Sequence, residues 1–120
     1  MLFRSFTKAG AGTLTLTGTN TYSGNTAIAA SGGSLVIGSA GSLGSGSYAG
    51  QVTLGASTTF TYSSSASQTL SGKSTGSGAL TKDTSSSSTL TLSGSTSDYT
   101  GPTTVSSGIV KVTTSAALGG

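Results

Sequence analysis

Apolar residues recur at every second position in short runs along this 120-residue chain. A period of two places successive apolar side chains on one face of a strand, so each run predicts a β-strand. No window has helical spacing over three turns, and we therefore predict no helix. The clearest runs are Leu14 and Leu16, Leu35 and Ile37, Val52 and Leu54, Phe60 and Tyr62, Leu90 and Leu92, and Val110 and Val112.

Clusters of Gly, Ser and Asn separate the runs and predict turns, because Gly and Asn tolerate positive φ. Spacings of about 8 to 12 residues between strands are typical of a sandwich or a solenoid. The dipeptides Asn-Gly and Asp-Gly, which favour two-residue hairpins, do not occur in the chain. The predicted strands centre on residues 15, 27, 36, 53, 61, 70, 80, 91, 104 and 111.

An internal repeat favours the solenoid. Residues 7–44 resemble residues 81–119, with Lys8 matching Lys82 and Tyr22 matching Tyr99. Such a repeat predicts stacked parallel coils, in which equivalent inward residues of the two copies lie above one another. With roughly three strands in each coil, the ten predicted strands would form three to four rungs.

The repeated residues resemble a known family, the autotransporter-associated β-strand repeat of bacterial passenger domains. The second copy departs from that pattern at residues 83–88 and at Ser97-Asp98, where we predict turns. The first copy matches at Lys8, Gly10, Gly12, Leu14, Leu16, Gly18, Asn20, Tyr22, Gly24, Thr26, Ile28, Gly33, Leu35, Ile37, Leu43 and Gly44. The second matches at Gly76, Gly78, Leu80, Lys82, Leu90, Leu92, Gly94, Tyr99, Gly101, Thr103, Val105, Gly108, Val110, Val112, Leu118 and Gly119.

The resemblance implies an all-β, right-handed parallel β-helix at the surface of a Gram-negative bacterium, or secreted from it. It implies a structural stalk that presents an adhesive or effector region and assists its own translocation. The expected partners are adjacent coils of the parent chain and an outer-membrane translocator barrel, with edge-to-edge self-association as a further expectation. An adhesin that binds glycans or cell surfaces is the main alternative.

Residues 1–6 are predicted to be a leader outside the β-helix. Residues 2–5 match a peptide encoded by a common sequencing adapter, so we expect the first five residues not to be native. The predicted β-helix spans residues 7–120. It holds repeat copies at 7–44 and 76–120, joined by strands at 50–72.

Composition argues against catalysis. Ser, Thr and Gly fill 69 of the 120 positions, and the chain has no His, Cys or Glu. Asp83 and Asp98, the two side-chain carboxylates, could form the catalytic pair of a polysaccharide-active enzyme, but both lie in predicted turns. We predict no enzyme, cofactor or metal site. The five Lys and Arg residues are dispersed, which disfavours nucleic-acid binding.

Two surface features have both a functional and a structural interpretation. Tyr22 and Tyr99 are candidate ligand contacts, although a repeated Tyr at a strand edge more often packs under a turn. The alternating threonines from Thr13 to Thr17 are similar to the ladders of ice-binding β-helices. The runs at 52–54 and 110–112 interrupt that ladder, which favours ordinary strand surface.

The remaining candidate residues are structural. The predicted core consists of Leu14, Leu16, Ile28, Leu35, Ile37, Val52, Leu54, Phe60, Leu80, Leu90, Leu92, Val105, Val110 and Val112. The predicted repeat turns are Gly18, Gly24, Gly33, Gly44, Gly94, Gly101, Gly108 and Gly119.

Overall fold

A computed structural model of the chain describes residues 4–31, 33–83 and 88–118. These residues form strands that pair only in parallel, and none of them lies in an α-helix, as predicted. Two single 3-10 turns occur, at Gly44–Gly46 and Ser115–Leu118. The fold is therefore a parallel β-solenoid.

The strands form three faces, which we call sheets 1, 2 and 3. Sheet 1 contains β1 (Phe6–Lys8), β4 (Thr26–Ile28), β8 (Val52–Leu54) and β11 (Ser74–Gly76). Sheet 2 contains β2 (Thr13–Leu16), β5 (Ser34–Ile37), β9 (Thr59–Tyr62), β12 (Ala79–Lys82) and β14 (Thr103–Val105). Sheet 3 contains β7 (Ser47–Tyr48), β10 (Gln68–Leu70), β13 (Thr89–Leu92) and β15 (Ile109–Val112), while β3 (Thr19–Asn20) and β6 (Ser42–Leu43) form a separate pair.

From β4 to β13 the chain visits sheets 1, 2 and 3 in order and returns to sheet 1 after each turn. Phe6 pairs with Thr26, Thr26 with Val52 and Val52 with Ser74, so successive turns take 20, 26 and 22 residues. Strand β1 begins at Phe6, a residue of the predicted leader, and pairs with β4 along its whole length.

Sheet 2 has five strands, one from each turn, so the solenoid has about five turns. The prediction of three to four was too low. All ten predicted strand centres fall inside observed strands, but β1, β3, β6, β7 and β11 were not predicted. These strands have only two or three residues each, and strands so short lack a clear alternating apolar pair.

The two repeat copies do not stack directly over one another, which corrects the expectation from the sequence. Leu14 lies in β2 on sheet 2, whereas its counterpart Leu90 lies in β13 on sheet 3. Their separation of 76 residues spans three turns and about one third of the next, because turns take 20 to 26 residues. The second copy is therefore displaced by one face around the axis.

Inward side chains of the middle turns fill the bore. Of the predicted core, nine residues are buried, whereas Leu14, Leu16 and Val110 are half-buried. Val105 and Val112, in the fifth turn, are 51% and 40% exposed because β14 and β15 are edge strands among the described residues. The buried residues of the predicted set are Ile28, Leu35, Ile37, Val52, Leu54, Phe60, Leu80, Leu90 and Leu92.

The burial difference between two matched leucines predicts different stability effects. Leu92→Ala should lower the free energy of unfolding by about 2 to 5 kcal/mol, because it leaves a cavity in the bore. Leu16→Ala should cost clearly less, because Leu16 is half-buried in the first turn. Urea midpoints of the two variants test this, and equal losses would contradict it.

Candidate functional site

The corners where successive turns stack contain repeated glycines of both copies. At the corner that leads into sheet 1, Gly24, Gly50, Gly72 and Gly94 occupy four successive turns. A Cβ added to any of them would lie under 3.0 Å from a backbone oxygen of the preceding turn. The oxygens belong, in order, to Arg4, Gly24, Gly50 and Gly72, so these glycines form a continuous column. Side-chain-free residues are required here because two backbones pass in contact.

A second glycine column follows the corner that leads into sheet 2. Gly55, Gly78 and Gly101 belong to three successive turns. A Cβ on Gly78 or Gly101 would again lie under 3.0 Å from the carbonyl oxygen of the glycine one turn earlier. The corners therefore fix the vertical spacing of the solenoid along two lines.

The predicted turn glycines have different reasons for being glycine. Gly33, Gly44 and Gly108 have positive φ, as the sequence analysis assumed for turns. Gly24, Gly94 and Gly101 do not, and they are glycines because of the close approach. Gly18 has open space around its Cα, and Gly119 lies outside the described residues. Several corners use serine with positive φ instead, at Ser31, Ser39, Ser45 and Ser57.

The column glycines Gly50 and Gly72 were not among the predicted site residues. Successive glycines of the column, from Gly24 through Gly50 and Gly72 to Gly94, are separated by 26, 22 and 22 residues. Each separation is the length of one turn. That spacing is a signal in the sequence, but it is recognisable only when the length of each turn is known.

Replacement of a column glycine should destabilise the stack. Gly72→Ala places a Cβ against the carbonyl oxygen of Gly50, and we expect a loss of about 1 to 3 kcal/mol in the free energy of unfolding. The matched control is Gly18→Ala, which meets nothing within 4 Å and should change stability by less than about 0.5 kcal/mol. Thermal unfolding of both variants decides the matter, and an equally stable Gly72 variant would exclude a steric role for the column.

The sequence Tyr-x-Gly-x-Thr occurs in both repeat copies and has the same local structure in each. The Tyr22 hydroxyl lies 2.7 Å from Oγ1 of Thr26, and the Tyr99 hydroxyl lies 2.5 Å from Oγ1 of Thr103. Each threonine is the first residue of its strand. The bond therefore joins the corner to the start of the next strand across the glycine between them.

Neither tyrosine is freely exposed. Tyr99 is 1% exposed, so its ring faces are covered by the chain, and Tyr22 is half-buried. An open depression of about 410 Å³ lies beside Tyr22 and is also lined by Arg4, Thr19, Asn20 and Thr21. Of the two candidate ligand contacts, Tyr22 is the one next to an accessible concavity.

A cluster of aromatic rings surrounds Thr26. The Tyr48 hydroxyl lies 2.8 Å from Oγ1 of Thr26 and also donates a hydrogen bond to the Gly24 carbonyl oxygen. The Tyr22 and Tyr48 rings meet edge to face at 5.8 Å, and Phe6 packs against Tyr22 at 6.2 Å. Tyr48, which was not a predicted site residue, links the second turn to the corner of the first.

Stability should fall at high pH because burial raises the pKa of all four tyrosines, that of Tyr48 to about 12. A raised pKa means that the folded chain holds the phenol proton more tightly than the unfolded chain does. The contribution is complete below pH 10, the ordinary tyrosine value, and disappears as the pH rises towards 12. The urea midpoint should decrease across this range as tyrosinate absorbance increases, and a constant midpoint would contradict the assignment.

Two matched lysines point into the solenoid. Nζ of Lys8 donates hydrogen bonds to the carbonyl oxygens of Ala9 at 3.0 Å and Gly10 at 2.7 Å. Nζ of Lys82 donates to Asp83 O at 3.2 Å and lies 5.8 Å from the centroid of the Tyr62 ring. Burial lowers the pKa of Lys82. Both lysines thus bind the corner carbonyls that follow their own strands.

Buried side-chain amides and hydroxyls also join successive turns. Gln68 Oε1 accepts from the Leu43 amide at 2.7 Å, and Gln68 Nε2 donates to the Leu43 carbonyl oxygen at 2.9 Å. This side chain replaces a strand pairing where β6 ends. Ser64 donates to Gly41 O at 2.6 Å, and Ser88 donates to Ser64 O at 2.8 Å, one turn further along.

The two carboxylates are not brought together. The Asp98 amide donates to Ser74 O in sheet 1, whereas the Asp83 amide donates to Tyr62 O in sheet 2. Asp98 forms an exposed ion pair with Lys73 at 2.8 Å, and the hydrogen bond from Lys73 lowers its pKa. Within residues 4–31, 33–83 and 88–118, no three His, Cys, Asp or Glu side chains are grouped as metal ligands. No helix among the described residues is long and apolar enough to span a membrane.

The fold and its corners define a repeat protein, a parallel β-solenoid closed by recurring corner contacts. Residues 6–37 and 85–112, half of the chain, match the Passenger-associated-transport-repeat family, so the chain belongs to that family. This confirms the predicted resemblance to an autotransporter passenger repeat. Comparison with curated proteins gave no match, and comparison with solved structures gave none either.

Proposed function

We propose that this segment is the structural stalk of an autotransporter passenger, displayed on the surface of a Gram-negative bacterium or secreted from it. In this role it holds an adhesive or effector region away from the outer membrane. The observation that carries the proposal is the use of the family's repeated residues. The glycines separate stacked backbones, the tyrosines and lysines close corners, and the aliphatic residues fill the bore.

We further propose that stacking contributes to translocation. Each added turn pairs its strands with the preceding turn and buries its inward side chains, so folding free energy accumulates turn by turn. Folding outside the cell would then bias movement of the chain through a translocator barrel. A right-handed coil is proposed because connections between parallel strands of one sheet are almost always right-handed.

The fifth turn supports stacking onto adjacent coils of a parent chain. Val105 and Val112 are 51% and 40% exposed, although their counterparts one turn earlier, Lys82 and Leu92, are buried. A further coil on this edge would bury them and would satisfy the free edges of β14 and β15. Self-association through the same edges is the corresponding behaviour of the isolated chain.

Surface display tests the proposal. The chain would be placed between an export signal and a translocator barrel in a Gram-negative host, and display measured by the accessibility of the chain to external protease. Gly72→Ala should reduce display because it weakens stacking, while Gly18→Ala should leave display unchanged. Equal display of both variants, with the Gly72 variant shown to be less stable, would argue against a link between stacking and translocation.

A glycan-binding or cell-binding adhesin module is the second candidate function. The depression beside Tyr22 favours it, because Arg4, Asn20 and the threonines there offer polar groups next to an aromatic ring. Loss of cell or glycan binding in Tyr22→Ala at unchanged stability would support this function over the stalk.

A further inference from the structure

The outer surface of sheet 2 is an ordered array of small side chains. One column runs across all five strands, with Thr15, Val36, Thr61, Thr81 and Thr104 paired in register. Four of its five positions are therefore threonines, one in each of four turns. These residues are exposed or half-exposed and alternate with the inward residues of the same strands.

A second column lies two residues away along the same strands. Thr13, Ser34, Thr59 and Ala79 are paired in register across β2, β5, β9 and β12. Both columns consist only of small uncharged side chains. Sheet 3 differs, since Lys111 interrupts the corresponding row after Thr69 and Thr91.

The two runs that interrupt the threonine ladder in the sequence lie on other faces of the solenoid. The run at 52–54 belongs to sheet 1 and the run at 110–112 belongs to sheet 3. Neither run interrupts sheet 2. The strands that are adjacent in space are those of residues 13–16, 34–37, 59–62, 79–82 and 103–105.

The spacing of the array is fixed in two directions. Neighbouring strands lie about 4.8 Å apart, and alternate residues along a parallel strand lie about 6.6 Å apart. The stacked corners hold these spacings rigidly, so little conformational entropy is lost when the face meets a regular surface. Hydroxyl and methyl groups on such a lattice can order water in a matching pattern, and many weak, evenly spaced contacts add together.

We propose that the outer face of sheet 2 binds ice, with the hydroxyl and methyl groups of the two columns matching the oxygen lattice of the ice surface. Thr61 lies at the centre of the five-strand column. This activity is additional to the stalk function and does not depend on it.

Purified chain tests the proposal through thermal hysteresis and inhibition of ice recrystallisation. The wild-type chain should show both activities. Thr61→Lys should abolish both, because a long charged side chain prevents close approach at the centre of the array. The matched control is Thr69→Lys, an outward and half-buried threonine of the same turn on sheet 3, which should retain full activity.

A second variant is expected to gain ice activity, and misfolding cannot explain a gain. Val36→Thr completes the five-threonine column and should increase the hysteresis at equal protein concentration. Circular dichroism and urea midpoints establish that each variant is folded. The proposal is overturned if the folded wild-type chain has no ice activity, or if Thr69→Lys loses as much as Thr61→Lys. Binding to microcrystalline cellulose without any ice activity would also overturn it and would identify a polysaccharide surface as the ligand.

Discussion

Close contact between the backbones of successive turns is the constraint on which this solenoid depends. Strands can pair at their usual separation only if the corners also stack at that separation, and a corner has no pleat into which a side chain can be directed. The two glycine columns meet this requirement at the corners that lead into sheets 1 and 2. The serine, glutamine and lysine contacts then satisfy the polar groups that the corners leave inside.

The tyrosines illustrate how local and inter-turn contacts cooperate. In Tyr-x-Gly-x-Thr, the glycine brings the backbone against the preceding turn, and the hydroxyl bond between Tyr and Thr fixes the direction of the next strand. Tyr48 extends the same cluster into the second turn. A buried phenol with its hydroxyl bonded inside the chain is a structural element, which explains why the motif recurs without an accompanying group of reactive side chains.

The strand positions and the family were predictable from the sequence because a period of two and the repeated Gly, Tyr and Leu positions are local signals. The number of turns was not, since short strands such as β3 and β7 are defined by their partners in neighbouring turns. The reason for Gly24 and Gly94 was also hidden, because it concerns a carbonyl oxygen about 20 residues away. Lys8 and Lys82 are buried, which their residue type does not indicate.

The displacement of the second repeat copy by one face has a mechanical consequence. Each copy contributes one Tyr-x-Gly-x-Thr corner. The corner of Tyr22 leads into sheet 1 and that of Tyr99 leads into sheet 2, so the two corners face different directions around the axis. If further copies followed at a similar interval, their tyrosine corners would be displaced by one face per copy and would form a helical path around the solenoid axis. Such a rod would have nearly the same bending stiffness in every direction and no weak side along which it could fold.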